Sequence, residues 1–375
     1  MKIGLLTHSV NPRGGVVHTL ELAQALHSSG HAVTVLAPAA PGQSMFRPVA
    51  HRLALVAVDS TPTDLHDMVA SRIAAFERHL RALPDLDTFD IWHAHDGIGS
   101  NALANLVDAR LIGGYVRTVH HLDDFEDARV MRWQRRSVER AARVLCVSPL
   151  WCRHLHDAHG IIAVLVSNGV DLARYQPVAG PHDAEVAARW GLRPGAPLWL
   201  AVGGIEERKN TLRALHAFVQ HKQPRPGAQF VIAGGASLLD HGAYQCRFRD
   251  GLAASGVADS VVLTGTVPDA DMPALFRLAD GLLMPSLREG VGLVVLEALA
   301  SGTPVVVPHE APFTEYLAAD DARWCDPLDP RSIAAAMQHA LRRPLNGVPE
   351  VCRRYSWQAS AQRHIEIYSA LCAHA

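Results

Sequence analysis

The chain has 375 residues, and a hydrophobic content of 49% is enough for two domains of ordinary size, each with its own core. Its net charge of −2 excludes the strongly basic character that is typical of proteins that bind nucleic acid. The six cysteines are dispersed without a C-x-x-C pair, and the 22 histidines give no H-x-x-x-H or H-E-x-x-H pattern that supports a zinc site, so we expect reduced thiols and no metal.

The N-terminal residues lead directly into a short apolar segment. Neither a signal peptide nor an apolar run long enough to span a bilayer is evident. We therefore expect a soluble, cytoplasmic protein. The basic segment 129–143 is a candidate for peripheral contact with a membrane. The alternative, which is more common for such a helix, is that its basic face is solvated.

Apolar strands and amphipathic helices alternate through the first half of the chain. Residues 2–7 are predicted as a strand, 16–26 as a helix and 32–37 as the next strand. The same patterns predict strands at 53–58, 90–95, 115–121, 144–148 and 162–166, and helices at 64–83 and 129–143. This alternation is typical of a parallel sheet, so we expect an open α/β domain over residues 1–171.

A second α/β alternation follows a segment rich in Pro and Gly, 172–196, which is predicted as a linker with one short helix. Strands are predicted at 198–202, 230–233, 261–264, 280–284 and 304–307, and helices from 211 and at 271–278, 291–300, 331–342 and 355–373. We therefore expect two Rossmann-like domains, the second over 197–354. Ligands of such sheets bind outside the carboxyl ends of the strands, where two such edges can face one cleft.

The segment 288–307 carries the strongest functional pattern. Glu289 and Glu297 stand eight positions apart, and Glu297 is the single charged residue between positions 291 and 308. A Gly-rich loop that opens onto a helix N-terminus offers unbonded N–H groups to a phosphate. Glu289 lies in that loop, and Glu297 is predicted about two turns into the helix, where it can bind a diol such as a ribose. The alternative is a core helix whose one carboxylate is bonded to backbone.

This segment resembles the E-x7-E motif of retaining glycosyltransferases with the GT-B fold, family four (glycosyl transferases group 1). The matching letters, P-S-x-x-E-G-x-G-L-x-x-L-E-A-x-A-x-G-x-P-V-V, are far more specific than a lone Gly-rich loop. The resemblance extends over nearly the whole chain. It implies an acceptor-side first domain, a second domain that binds the donor, and a C-terminal helix, within 355–375, that crosses back to the first domain.

In the first domain the resemblance implies three functional positions. Gly14 and Gly15, in P-R-G-G-V-V-H, are implied to let backbone approach the donor phosphate and the acceptor. His120, in T-V-H, is implied to face the sugar that is transferred, although His121 can also be read into that place. The histidines of W-H-A-H-D, His93 and His95, are interpreted as mostly structural.

In the second domain Lys209, in V-G-G-I-E-E-R-K-N, matches the lysine that neutralises the diphosphate. Gly204 departs from the family pattern, which commonly has Arg there, and Arg208 is the nearest replacement. Segment 265–267 resembles the part of the family that lines the nucleobase. The donor site is thus implied to comprise Gly14, Gly15, Gly204, Arg208, Lys209, Gly265, Val267, Glu289, Gly290, Val291, Gly292, Leu293 and Glu297. The catalytic roles are implied to belong to Glu289, His120 and Lys209.

We predict a retaining glycosyltransferase that uses a nucleotide-diphosphate sugar, without a metal or cofactor. Asp85-Leu86-Asp87 and Asp269-Ala270-Asp271 match D-x-D in letters, but the first lies in a predicted turn and the second opens a predicted helix. A sugar-nucleotide epimerase, a glycan phosphorylase and a non-catalytic nucleotide-sugar binding protein are the alternatives. The acceptor is a small molecule, a glycan or a lipid, selected by loops such as 38–47 and 122–130. No nucleic-acid partner is expected, and neither the donor base nor the sugar follows from the sequence.

Overall fold

The computed structural model describes residues 1–58, 64–193, 195–223, 225–235, 241–343, 345 and 347–373. The chain forms two compact units. The first comprises Met1–Asn168 together with the C-terminal segment from Trp357, and the second comprises Gly169–Ser356. Among the described helices, none is both long enough and apolar enough to cross a membrane.

The first unit is a parallel sheet with helices between its strands. Its elements in chain order are β1 (Lys2–Leu6), α1 (Gly14–Ser28), β2 (Ala32–Ala39), β3 (Arg52–Ala57), α2 (Leu65–Arg81), β4 (Ile91–Ala94), α3 (Gly97–Asp108), β5 (Val116–Val119), α4 (Ala128–Glu139), β6 (Arg143–Cys146), α5 (Pro149–His159) and β7 (Val164–Leu165). Within the described residues the strands pair in the order β3-β2-β1-β4-β5-β6-β7.

The core of this unit forms where helices cover the apolar strands. Phe76 of α2 and Leu103 of α3 are fully buried against Leu6 and Leu36 of the sheet. Burying such side chains contributes about 1.5–3 kcal/mol each.

The C-terminal helix of the chain returns to the first unit, which confirms the expectation for its position. In the described residues it spans Trp357–Cys372, and its order in the chain makes it α13. It packs on α1. The buried Tyr368 hydroxyl also lies 2.6 Å from Nδ1 of His93 on β4.

The second unit repeats this architecture. Its elements in chain order are α6 (Pro181–Arg189), β8 (Leu198–Val202), α7 (Thr211–Lys222), β9 (Gln229–Ala233), α8 (Gly242–Ala254), β10 (Val261–Gly265), α9 (Met272–Leu278), β11 (Gly281–Leu283), α10 (Leu293–Ala300), β12 (Val305–Pro308), β13 (Arg323–Cys325), α11 (Pro330–Arg342) and α12 (Glu350–Arg354). In the described part of the unit the parallel strands pair in the order β10-β9-β8-β11-β12-β13.

Each sheet therefore has a topological switch point, where the strand order reverses. In the first unit it lies between β1 and β4, and in the second between β8 and β11. Open α/β sheets bind ligands outside the carboxyl ends of the strands at this point. The two parallel Rossmann-like sheets that the sequence predicts are confirmed.

Some elements differ from their predicted bounds. Helix α10 begins at Leu293 rather than at 291, because Gly292 has φ +86°, outside the helical region. Glu297 is thus the fifth residue of the helix, about one turn from its start rather than two. The basic helix ends at Glu139, and Arg143 begins strand β6.

The segment predicted as a linker, 172–196, groups with the second unit. Its helix α6 packs on α9. Nε of Arg277 on α9 donates to Oδ2 of Asp183 on α6 over 2.9 Å.

Candidate active site

Three glycine-rich strand ends meet at the carboxyl edge of the second sheet. The strands are β8, β9 and β10, and their backbones approach so closely that side chains are excluded between them. A β-carbon added to Gly234 would lie 2.3 Å from the nitrogen of Gly204, and one added to Gly235 would lie 2.2 Å from Oγ1 of Thr266. These loops therefore present backbone groups rather than side chains.

The backbone conformation at Gly204 favours glycine over the arginine that the family commonly has at this position. Its φ is +81°, a conformation that residues with side chains rarely adopt. A β-carbon at this position would also lie 3.0 Å from the carbonyl oxygen of Gly235. The loop in this chain is thus shaped for glycine at 204.

Two cations from the loop after β8 converge on Glu289. Nζ of Lys209 lies 2.7 Å from Oε1 of Glu289, and a guanidinium nitrogen of Arg208 lies 3.6 Å from the same oxygen. Arg208 is also paired with Glu206 over 2.8 Å. The structure therefore brings together three charged residues that the sequence assigns to the donor site.

Asn210, which sequence reasoning missed, fixes this loop. Its backbone is left-handed, with φ +58°, and its side-chain amide donates to the carbonyl oxygens of Pro285 and Pro327 over 2.9 and 2.6 Å. The loop after β8 is thereby tied to the loop after β11, which carries Glu289. The only signal in the sequence is the position of Asn210 immediately before a helix, where Asn often caps.

Glu289 is buried but remains charged. Burial alone would raise the pKa of its carboxyl group, yet the charges of Lys209 and Arg208 and the hydrogen bond from Lys209 outweigh it and lower the pKa. Burial, reinforced by the charge of Glu289, raises the pKa of Tyr316 well above its usual value. The Tyr316 hydroxyl donates to the carbonyl oxygen of Val291 over 3.0 Å, so it helps to hold the loop before α10.

Helix α10 begins without a side-chain cap, because Gly292 stands at its N-cap position. Gly292 has no side chain with which to cap the helix, and the first N–H groups of a helix have no partner inside it. Gly290 is half-buried, as is Leu293, whereas Val291 is buried. The predicted phosphate-binding residues therefore lie in one loop at the sheet edge.

Glu297 is buried on α10, and Arg174 is its electrostatic neighbour. Burial alone would lower the pKa of the Arg174 guanidinium, but the nearby Tyr175, Asp269 and Glu297 outweigh burial and raise that pKa. Arg174 also pairs with Asp269 over 2.8 Å. Nothing in the sequence spacing indicates Arg174, because 123 positions separate it from Glu297.

The segment after β10 places the remaining donor residues. Gly265 is exposed with φ +66°, and its carbonyl oxygen accepts from Gly234 over 2.9 Å; Val267 is buried. The D-A-D letters that follow are engaged in ion pairs, since Asp269 pairs with Arg174 and Asp271 with His182 over 2.8 Å.

In the first unit His120 and Gly15 come together at the carboxyl edge. A β-carbon added to Gly15 would be 3.5 Å from Cδ2 of His120, whereas one added to Gly14 would have no atom within 4 Å. His121 instead lies 3.4 Å from Oδ2 of Asp123. The geometry therefore favours His120 over His121 as the histidine of this edge.

His120 belongs to a cluster of histidine rings that the sequence did not predict. His18 of α1, His95 after β4 and His120 after β5 have ring centroids 4.6–5.6 Å apart. Burial lowers the pKa of His18 to about 3 and the pKa values of the other two well below the usual value. The isolated histidine on the apolar face of α1 is the only sequence signal for His18.

His93 has a structural place beside this cluster. One ring nitrogen bonds to Tyr368 over 2.6 Å and the other to Oγ1 of Thr118 over 2.8 Å. The T-x-H threonine therefore holds His93, as its interpretation as a mostly structural residue predicts.

Comparison with known proteins gives consistent matches over the whole chain. Residues 12–174 match the family model Glycosyltransferase Family 4, and residues 183–361 match the model Glycosyl transferases group 1. An uncharacterized glycosyltransferase of Methanocaldococcus jannaschii is 24% identical, with 98% of each chain covered.

Two solved structures share the fold. The sucrose-phosphate synthase of Thermosynechococcus elongatus superposes with a TM-score of 0.79 at 20% identity, with 100% of each chain covered. The Anabaena protein HepE in complex with UDP-glucose gives a TM-score of 0.76 at 16% identity, with 99% of this chain and 100% of that chain covered.

Proposed function

The chain belongs to glycosyltransferase family four, and from this premise we propose that it is a retaining, metal-independent enzyme for a nucleotide-diphosphate sugar. Family membership makes it a glycosyltransferase that takes its sugar from a nucleotide sugar. The stereochemical course, the independence of metal and the residue roles below are the proposal.

One observation carries the proposal. Lys209 and Arg208 meet Glu289 at the switch point of the donor-side sheet, next to the start of α10. Two cations and a helix N-terminus are what a diphosphate requires, and a buried carboxylate beside them suits sugar hydroxyls.

The leaving diphosphate is stabilised by Lys209, by Arg208 and by backbone N–H groups of Gly290, Val291, Gly292 and Leu293. Preorganised donors of this kind contribute about 3 kcal/mol each. Arg208 supplies the positive charge that an arginine commonly provides in the family at the position of Gly204. Before the donor binds, Glu289 neutralises Lys209; once phosphate oxygens take over that role, Glu289 accepts hydrogen bonds from the sugar hydroxyls.

The nucleoside is held by the other carboxylate. Glu297 binds the ribose hydroxyls, and Arg174 orients that carboxylate electrostatically. Gly265 and Val267 line the nucleobase through backbone groups. UDP-glucose is the first donor to test, because the similar Anabaena structure contains it.

His120 faces the transferred sugar, and Gly15 leaves space for it, with Gly14 at the entrance of α1. Burial holds the pKa of His120 well below neutrality, so the ring is uncharged and offers a hydrogen bond. Transfer with retention joins the acceptor oxygen to the anomeric carbon on the face that the diphosphate leaves, and the acceptor proton passes to a phosphate oxygen.

Turnover measured with a donor panel tests the proposal. Glu289→Gln should lower kcat by about 10- to 100-fold, because one charged hydrogen bond is worth about 1.5–3 kcal/mol. Glu350→Gln is the matched control, since Glu350 is exposed and its partner is Arg353. The proton coupling at the anomeric carbon of the product reports retention, and added chelator should leave the rate unchanged.

Two results would overturn these assignments. Wild-type turnover in Glu289→Gln would remove Glu289 from the site. An inverted product or a rate abolished by chelator would contradict retention or the independence of metal.

A further inference from the structure

Three imidazoles in the first unit are arranged like the ligands of a metal ion. His18, His95 and His120 come from α1 and from the loops after β4 and β5, so three separate elements hold them. One ring nitrogen from each lies within 4.8 Å of the other two. His18 and His95 are buried, and His120 is half-buried.

Each of the three rings has at least one nitrogen without a hydrogen-bond partner in the described part of the chain. Nε2 of His18, both ring nitrogens of His95 and Nε2 of His120 are buried without a hydrogen bond. Buried polar atoms are nearly always bonded, so several together in one place indicate a missing ion or ligand. Bonds among the three rings do not satisfy these atoms.

Neighbouring residues set the tautomer that a metal needs. Nδ1 of His18 lies 2.9 Å from Oδ1 of Asn168, and an amide oxygen can only accept. Nδ1 therefore carries the proton, and the lone pair of Nε2 is left available to a metal ion. A second partner that orients the ring in this way is typical of metal-binding histidines.

We propose that His18, His95 and His120 bind one divalent first-row transition cation, with Zn²⁺ as the best-suited ion. Three histidines with a fourth position open to solvent or substrate form a known type of zinc site. Imidazole favours Zn²⁺, Ni²⁺ and Cu²⁺, whereas Mg²⁺ and Ca²⁺ prefer oxygen ligands. At a zinc–nitrogen distance of about 2.1 Å the nitrogens lie about 3.4 Å apart, so small ring rotations close the site.

Binding of Zn²⁺ at this site should affect sugar transfer, an inference that rests on the proposed function. An ion on Nε2 of His120 removes the group that faces the transferred sugar. Zn²⁺ should therefore inhibit transfer, and chelator should restore it. This behaviour is the reverse of a metal requirement.

Calorimetric titration of the untagged protein with ZnCl₂ tests the binding directly. We expect one ion per chain, and binding at least about tenfold weaker in His120→Asn and in His18→Asn. His66→Asn is the control, because it disrupts a second group with metal-ligand spacing among the described residues, formed by His66 with the exposed Asp64 and Asp67. Visible absorption of the Co²⁺ form gives a second readout, since a tetrahedral nitrogen site absorbs far more strongly than hydrated Co²⁺.

Each result is decisive. Saturable binding lost in the two cluster variants and kept in His66→Asn supports the site. No saturable Zn²⁺ binding, or binding that the cluster variants retain, overturns it. Circular dichroism of both variants separates lost binding from lost folding, and His120→Asn, at the half-buried edge, is the variant least disturbing to the core. Because binding is measured without donor, it can succeed even if the proposed transfer activity fails.

Discussion

At the scale of single residues, Lys209 and Glu289 form the contact with most influence on the site. Their side chains are only 13% and 8% exposed, and the nitrogen–oxygen distance is 2.7 Å. Removing one partner of a buried ion pair leaves the other as an uncompensated charge, which is strongly destabilising. We therefore expect the loss of either Lys209 or Glu289 to destabilise the folded chain as well as the site.

A double-mutant cycle measures that contribution. Lys209→Met and Glu289→Gln should show a coupling of about 1–3 kcal/mol in denaturant unfolding, because each variant strands the other partner. The exposed pair Arg353 and Glu350 is the control, and Arg353→Met with Glu350→Gln should couple by about 0–1 kcal/mol. Equal coupling in the two cycles would show that Glu289 gains nothing from its burial.

A second residue-scale prediction concerns the glycine contacts behind the site. Gly234→Ala would place a β-carbon 2.3 Å from the nitrogen of Gly204, so the strand ends must separate. We expect a loss of about 1–3 kcal/mol and weaker donor binding. Gly113→Ala, with open space around its β-carbon, should change stability by less than about 0.5 kcal/mol. A stable Gly234→Ala protein that binds donor normally would contradict the close packing of these loops.

At the scale of elements, continuous apolar runs predict the strands well. The predicted strand 198–202 is observed as Leu198–Val202. A parallel strand is buried on both faces, so its sequence is a continuous apolar run whose ends mark the ends of the strand. Helix α3 was missed because its first residues include two glycines and an asparagine, which have low helix propensity. Its signal was Asp96, whose carboxylate accepts from the nitrogen of Gly99.

The candidate site was predicted unevenly for a related reason. The motif letters around Glu289 and Lys209 are local and specific, so both residues could be proposed for the site from the sequence. Arg174 and His18 reach their neighbours only through the fold, because sequence spacing carries no information about contacts between distant elements. The left-handed backbone at Asn210 is likewise set by its bonds to two other loops.

Helix α13 gives a prediction at this scale. Tyr368→Phe removes the hydroxyl that bonds Nδ1 of His93 and leaves a buried polar nitrogen without that partner. Such a loss costs about 1–3 kcal/mol. Unfolding followed by tryptophan fluorescence measures it, and the exposed Ser369→Ala on the same helix is the control. Unchanged stability of Tyr368→Phe would show that this bond does not hold α13 on the sheet.

At the scale of the whole molecule, buried histidines make stability depend on pH. Burial lowers the pKa of His18 to about 3 and that of His364 to about 4, and the pKa values of His93, His95 and His120 also fall well below 6.5. The unfolded chain, with histidine pKa near 6.5, then binds more protons than the folded chain. Stability is therefore fully present above pH 6.5 and is lost as pH falls towards 3.

We expect each such histidine to remove about 1.4 kcal/mol per pH unit below 6.5. Tm measured with chelator present should change little between pH 7.5 and 6.5 and fall steeply between pH 6.5 and 5, before most carboxyl groups titrate. The first unit holds the cluster, so it should lose more stability than the second. A flat Tm over this range would mean that these rings are not buried as neutral groups.

The central claim is that Lys209, Glu289 and Glu297 form the site of a nucleotide-diphosphate sugar. Calorimetric titration with UDP-glucose, GDP-mannose and ADP-glucose tests it most directly. We predict one site per chain for at least one donor, with affinity lowered at least about tenfold by Lys209→Met and by Glu297→Gln, because each removes a charged hydrogen bond. Glu350→Gln should bind like the wild type. Binding of no donor, or equal affinity in the Lys209 and Glu297 variants, would contradict the claim.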